Sequence, residues 1–130
     1  MNTAKNISTS KLKPVCTEFE VSETLLKLGS NPANKGYKYI TYALILLNND
    51  FDYYAGAVVK HLYADIATHW NVTASRVERC IRHEINLIFE AKSDFLTTMS
   101  VFSNTNNMCV SKFLVSLYEH FRIKNGITIT

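Results

Sequence analysis

The sequence predicts an all-α domain of about six helices, a helix-turn-helix fold without a wing, and three observations carry that expectation. Apolar residues recur at helical spacing in separate runs between Thr17 and Phe121. Those runs are separated by Gly29-Ser30-Asn31-Pro32 and Asn48-Asn49-Asp50, and the last closes on Asn125-Gly126, all combinations that end helices. Strand-like alternation is confined to Ile127-Thr128-Ile129-Thr130, too short to pair.

Residues 1–15 are rich in Asn, Ser, Thr and Lys without periodicity and read as a flexible basic arm. Residues 16–126 form the helical domain, and 127–130 a tail. The first helix begins near Thr17, carries Phe19, Val21, Leu25, Leu26 and Leu28, and stops at Gly29. A second runs from Gly36 to Asn49; Tyr39, Ile40, Ala43, Leu44, Leu46 and Leu47 cover most of its circumference, which places it at the centre of the core. A third spans about Tyr53 to Leu62, with Ala55, Val58, Val59 and Leu62 on one side. Two more fall within 64–89. Between Ser93 and Met108 the pattern loosens, and Ser103-Asn104-Thr105-Asn106-Asn107 reads as a loop. The last helix starts near Ser111 and shows Phe113, Leu114, Leu117, Tyr118 and Phe121.

At 130 residues, with 47% apolar and 19% charged residues, the chain has room for one globular domain and a self-sufficient core. A large cofactor-binding α/β enzyme does not fit. The longest apolar stretch, Tyr39 to Leu47, is less than half of the ~20 residues a membrane span needs. Met1 to Pro14 lacks the apolar core of a secretory signal. Three cysteines at wide spacings (Cys16, Cys80 and Cys109) argue against a disulfide framework and for reduced thiols in the cytoplasm. The net charge of +3 permits an anionic partner without demanding one. No motif calls for a metal, a cofactor or catalysis. Cys80 and His83 lack a CxxC or HExxH context, and four glycines supply no phosphate loop.

The segment from Asp65 to Ile81 is the most informative. Ala67 is small where one helix must approach the next, and Asn71, four residues on, suits a left-handed turn. Val72 fills the space beneath the turn, Thr73 is a natural N-cap, and Val77 and Ile81 return to the core. This order of small, turn, apolar, cap and apolar residues is what a helix-turn-helix requires. On a helical wheel starting at Arg76, residues Ala74, Val77, Ile81, Ile85 and Ile88 share an arc of roughly 100–180°. Arg79, His83 and Asn86 lie opposite, flanked by Ser75 and Arg82. From Arg76 to His83 there are three arginines and one glutamate, far denser than the chain average. Guanidinium groups in the first turn oppose the helix dipole, so helix stability does not explain them. An arginine fork matches guanine O6 and N7, and a carboxylate can accept from cytosine N4.

From Leu28 to Gly126 the sequence resembles the C-terminal effector domains of the stage zero sporulation protein A family. The resemblance rests on Lys35-Gly36-Tyr37, Leu62-Tyr63, Asp65-Ile66-Ala67 and above all Thr73-Ala74-Ser75-Arg76-Val77-Glu78-Arg79 followed by Ile81-Arg82-His83. It implies a six-helix, sequence-specific transcription regulator that binds double-stranded DNA at a TGTCGAA-like box. By position, Arg76, Glu78 and Arg79 would read bases, while Thr73, Ser75, Arg82 and His83, with Lys60, would hold phosphates. It also implies tandem binding as a dimer on DNA and contact with RNA polymerase sigma subunits. Ala64 replaces the family's usual proline, Thr68 and His69 replace lysines, and Thr41-Tyr42 replaces an arginine–glutamate pair. The residues before Leu28 are too few for a phosphoacceptor receiver. A protein-interaction module acting on a full-length regulator or a sigma subunit is the alternative role.

Overall fold

The computed structural model describes residues 14–128, and every regular element among them is helical. In chain order they are α1 (Glu18–Lys27), α2 (Lys35–Asn49), α3 (Phe51–Ala55), a π-helical turn (Val58–Leu62), α4 (Tyr63–Trp70), α5 (Ala74–Ala91), α6 (Asp94–Thr98), a 3-10 turn (Ser100–Phe102) and α7 (Val110–Lys124). The expected all-α class stands, with two local differences. The helix expected over Tyr53–Leu62 is broken at Gly56-Ala57 into α3 and the π turn, which runs directly into α4. The loosened stretch after Ser93 contains the short α6, capped by the Ser93 hydroxyl accepting from Leu96 N.

Local chemistry sets the ends of α1. The Thr17 hydroxyl accepts from Glu20 N at 3.1 Å while the Glu20 carboxylate accepts from Thr17 N at 3.1 Å, a capping box. At the far end Gly29 adopts φ 90°, letting Ser30 N reach Leu25 O at 2.9 Å and Gly29 N reach Leu26 O at 3.0 Å. The buried stripe of α1 is Val21, Thr24, Leu25 and, one residue past its end, Leu28. Phe19 and Leu26, expected on that stripe, lie on the outer crest and are 84% and 50% exposed, because the i, i+3, i+4, i+7 set starting at Val21 leaves them across the helix. Val59 is likewise turned outward at 74% exposure, since Val58 and Leu62 are the pair that faces the core.

Helix α2 is the central element: Tyr39, Ile40, Ala43, Leu44 and Leu47 are all buried, as expected for a helix apolar around most of its girth. Its N-terminal half crosses α5 at Gly36, and a methyl group at Gly36 would stand 2.5 Å from Cys80 O and 2.7 Å from Glu84 Cβ. Helix α7 closes the other side through Phe113, Leu114, Leu117 and Phe121, with the Phe113 and Phe102 rings stacked at 5.0 Å.

Of the expected arm, only Pro14 and Val15 are described; residues 1–13 lie outside the described residues. Val15 is buried: its N–H donates to Asn48 Oδ1 at 3.1 Å, and its carbonyl accepts from Asn125 Nδ2 at 2.7 Å. In the tail, Ile127 O accepts from Arg122 Nη1 at 2.7 Å, while Ile129 and Thr130 are outside the described residues. No described helix is long and apolar enough to cross a membrane.

Candidate nucleic-acid interface

The turn between α4 and α5 has the conformation that its residues dictate. Asn71 sits at φ 56°, ψ 50°, the left-handed region, and Val72 N reaches back to Ala67 O at 2.9 Å. Ala67 is buried under that reversal. The Thr73 hydroxyl then accepts from Arg76 N at 3.1 Å, capping α5. Beyond it Val77, Ile81, Ile85, Ile88 and Phe89 are buried, so the inner face of α5 is fixed by the core and the outer face follows by geometry.

On the outer face Ser75, Arg76, Arg79, Arg82 and His83 are exposed, as is Thr73 at the cap. All belong to α5 or its cap. Lys60 is exposed too, but it lies on the π turn before α4, apart from the recognition helix. The side chains of Arg76 and Arg79 have no hydrogen-bond or ion-pair partner among the described residues, which leaves both forks open.

Glu78 differs from its neighbours. It is half-buried, and Arg82 Nη1 donates to both of its carboxylate oxygens at 2.6 Å. This i,i+4 pair is worth about 0.3–0.5 kcal/mol on a helix surface, weak enough for DNA to reorganise. Meanwhile it holds the Glu78 carboxylate and occupies one end of the Arg82 fork, leaving Nε and Nη2 free. Burial, then the nearby Glu78 charge, push the phenol of Tyr63 on α4 upward.

One determinant of this site is not evident from apolar periodicity. Glu84, only 1% exposed, accepts from Ser30 Oγ at 2.5 Å, from Asn34 Nδ2 at 3.0 Å and from Asn31 N at 3.3 Å. One carboxylate thus ties the α1–α2 connection to the middle of the recognition helix. The signal for it is an acid between His83 and Ile85 at the edge of an apolar stripe, because a carboxylate there must find hydrogen-bond partners.

Trp70 ends α4 as a half-buried anchor, its ring 5.4 Å from Tyr39 and 5.1 Å from Tyr42. Beside it a groove of about 360 Å³ opens between α1, α2 and the end of α4, lined by Glu18, Tyr37, Lys38, Tyr42, His69 and Trp70 among others. Cys16 is buried, Cys80 half-buried and Cys109 exposed, all as free thiols. Among the described residues no three of His, Cys, Asp and Glu converge as a metal would need.

A left-handed Asn turn, a capped second helix and a guanidinium-rich outer face define a helix-turn-helix DNA-binding domain. Comparison with protein families gives its kind: the model of the sporulation initiation factor Spo0A C-terminal domain matches residues 21–121. The chain belongs to that family of sporulation-regulator DNA-binding domains.

Proposed function

We propose that this domain regulates transcription by reading a short TGTCGAA-like box in double-stranded DNA. The observation that carries the proposal is the division of α5 into a buried stripe (Val77, Ile81, Ile85, Ile88) and an open face holding the free forks of Arg76 and Arg79. With the N-terminal end of α5 in the major groove, Arg76 and Arg79 donate to guanine edges and Glu78 accepts from cytosine N4. Thr73, Ser75, Arg82 and His83 meet phosphates along the groove walls, and Lys60 adds a contact from the turn before α4. The reading needs no cofactor and no chemical step, and it places the protein in the cytoplasm. Tandem boxes would bring two copies side by side, within reach of an RNA polymerase sigma subunit.

A second reading is favoured by one observation, the exposed apolar crest of Phe19 and Leu26 on α1. It makes the domain a protein-interaction module that modulates a full-length regulator or a sigma subunit.

Fluorescence anisotropy against duplexes carrying tandem boxes or scrambled ones, across a salt series, separates the two. Specific recognition gives the box an advantage of about 10³-fold or more. Arg76→Ala removes that advantage, whereas Arg82→Ala weakens both duplexes alike. A steep salt dependence without preference for the box would overturn the readout. Absence of binding at low salt, with co-elution of a sigma subunit, would favour the interaction module.

A further inference from the structure

We infer that Lys38, on α2 and outside the recognition helix, is a DNA phosphate-binding residue, its ammonium held in place by the ring of Trp70. The inference rests on the DNA-binding reading and extends its footprint to a second helix.

The position follows from packing. Gly36 fixes the start of α2 against Cys80 and Glu84 of α5. Within the next turn Tyr39 is buried against Trp70, the last residue of the first motif helix. Arg76 is close enough for its charge to act on the Tyr39 phenol, against the effect of burial. Lys38 therefore lies where α2 meets both the end of α4 and the N-terminal turn of α5.

Its ammonium stands 5.1 Å from the Trp70 ring centroid and 5.9 Å from that of Tyr39, within cation–π range of both. Glu18 lines the same groove, yet no described carboxylate lies within 4 Å of Lys38, and the described ion pairs are Arg82–Glu78 and Arg122–Glu119. The rings restrict the side chain without neutralising it, so part of the ordering entropy of a lysine is lost before any ligand arrives. The neighbouring positions on α4 are Thr68 and His69, the latter stacked on Tyr42, so Lys38 adds a permanent positive charge beside the end of α4. An ordered, uncompensated ammonium beside the inserted end of a recognition helix suits a phosphodiester oxygen of the groove wall.

The test is the salt dependence of binding by the whole chain to box and scrambled duplexes, between about 50 and 200 mM salt. Lys38→Met keeps the aliphatic stem against Trp70, Lys38→Gln keeps a polar end, and Lys38→Arg keeps the charge. Met and Gln should weaken both duplexes by the same factor and flatten the plot of log K against log salt by about 0.9. Arg should retain the wild-type slope. Emission from Trp70, the single tryptophan, and the far-ultraviolet circular dichroism confirm that each variant is folded. An unchanged slope in both Met and Gln variants of a DNA-binding wild type overturns the role of Lys38 alone, as does a loss confined to the box. A wild type that binds neither duplex overturns the DNA reading, and this inference with it.

Discussion

Gly36 touches the recognition helix through its missing side chain: a methyl group there would fall 2.5 Å from the carbonyl oxygen of Cys80. The obstacle is backbone in the middle of α5, which cannot swing aside as a side chain can. Gly36 therefore sets how near α2 lies to α5, and with it the seats of Tyr39 and Lys38.

Gly36→Ala should accordingly destabilise the fold by about 1–3 kcal/mol through overpacking, although alanine is the better helix former. Urea unfolding followed by Trp70 emission measures it. A stabilised variant would mean that α2 and α5 separate freely.

Glu84→Ala should cost more than Glu84→Gln. Alanine leaves the buried Ser30 hydroxyl and the Asn34 amide without an acceptor, at about 1–3 kcal/mol for each buried group left unsatisfied. Glutamine retains one acceptor oxygen at nearly the same volume. Chemical denaturation of both variants gives the order; equal losses would mean that volume, not the hydrogen bonds, matters at this position.

Glu78→Gln should release Arg82 from its ion pair and raise the local positive charge by one. Scrambled DNA should then be bound more tightly, with a steeper salt dependence, while the advantage of the box shrinks because a carboxylate acceptor for cytosine is gone. Anisotropy on both duplexes is the check, and a variant with undiminished box preference would remove Glu78 from the readout.

The thiols should react in a fixed order. Hydrogen bonds from the Lys112 backbone N–H and the Ser111 side chain lower the pKa of exposed Cys109, whereas burial pushes Cys16 up to about 11. Iodoacetamide near neutral pH should label Cys109 first and Cys16 only on unfolding, as peptide mass mapping over time would show. Early labelling of Cys16 in the native protein would mean that the clamp of Asn48 and Asn125 around Val15 and Cys16 opens readily.

His120 on α7 should make stability depend on pH below neutrality. Burial, then the charge of Lys124, lower its pKa in the folded state below the ordinary histidine value of about 6.5, so the unfolded chain binds its proton more readily. Stability from this group is full above about pH 6.5 and declines as pH falls toward the folded-state value. In urea titrations His120→Gln should show a shallower loss between pH 7 and pH 5 than the wild type. An equal slope would assign that loss to other groups.

Much of the motif was legible from local residues. Helix caps and turns are decided over three to six positions, so Thr73, Asn71 and Gly29 announce their roles in the sequence, and the stripe Val77-Ile81-Ile85-Ile88 fixes which face of α5 turns outward. Local pattern was less informative where two helical registers compete. Phe19 and Leu26 read as core by type, yet the Val21 stripe excludes them. The stretch from Tyr53 to Leu62 reads as one helix, yet it breaks at Gly56-Ala57, where Ala57 leaves the helical region at φ -153°, ψ 63°.

The sequence by itself thus determined the all-helical class, the helix-turn-helix and the arginine-rich face, because each depends on neighbours within a few residues. Only the tertiary structure decided that Glu84 clamps the α1–α2 connection, that Gly36 admits Cys80, and that Lys38 rests on Trp70. The respective partners lie 54, 44 and 32 positions apart, and no helical period links residues at such separations. Burial of a shared core brings them together, and the polar and steric demands at those contacts then select a carboxylate, a glycine and a lysine.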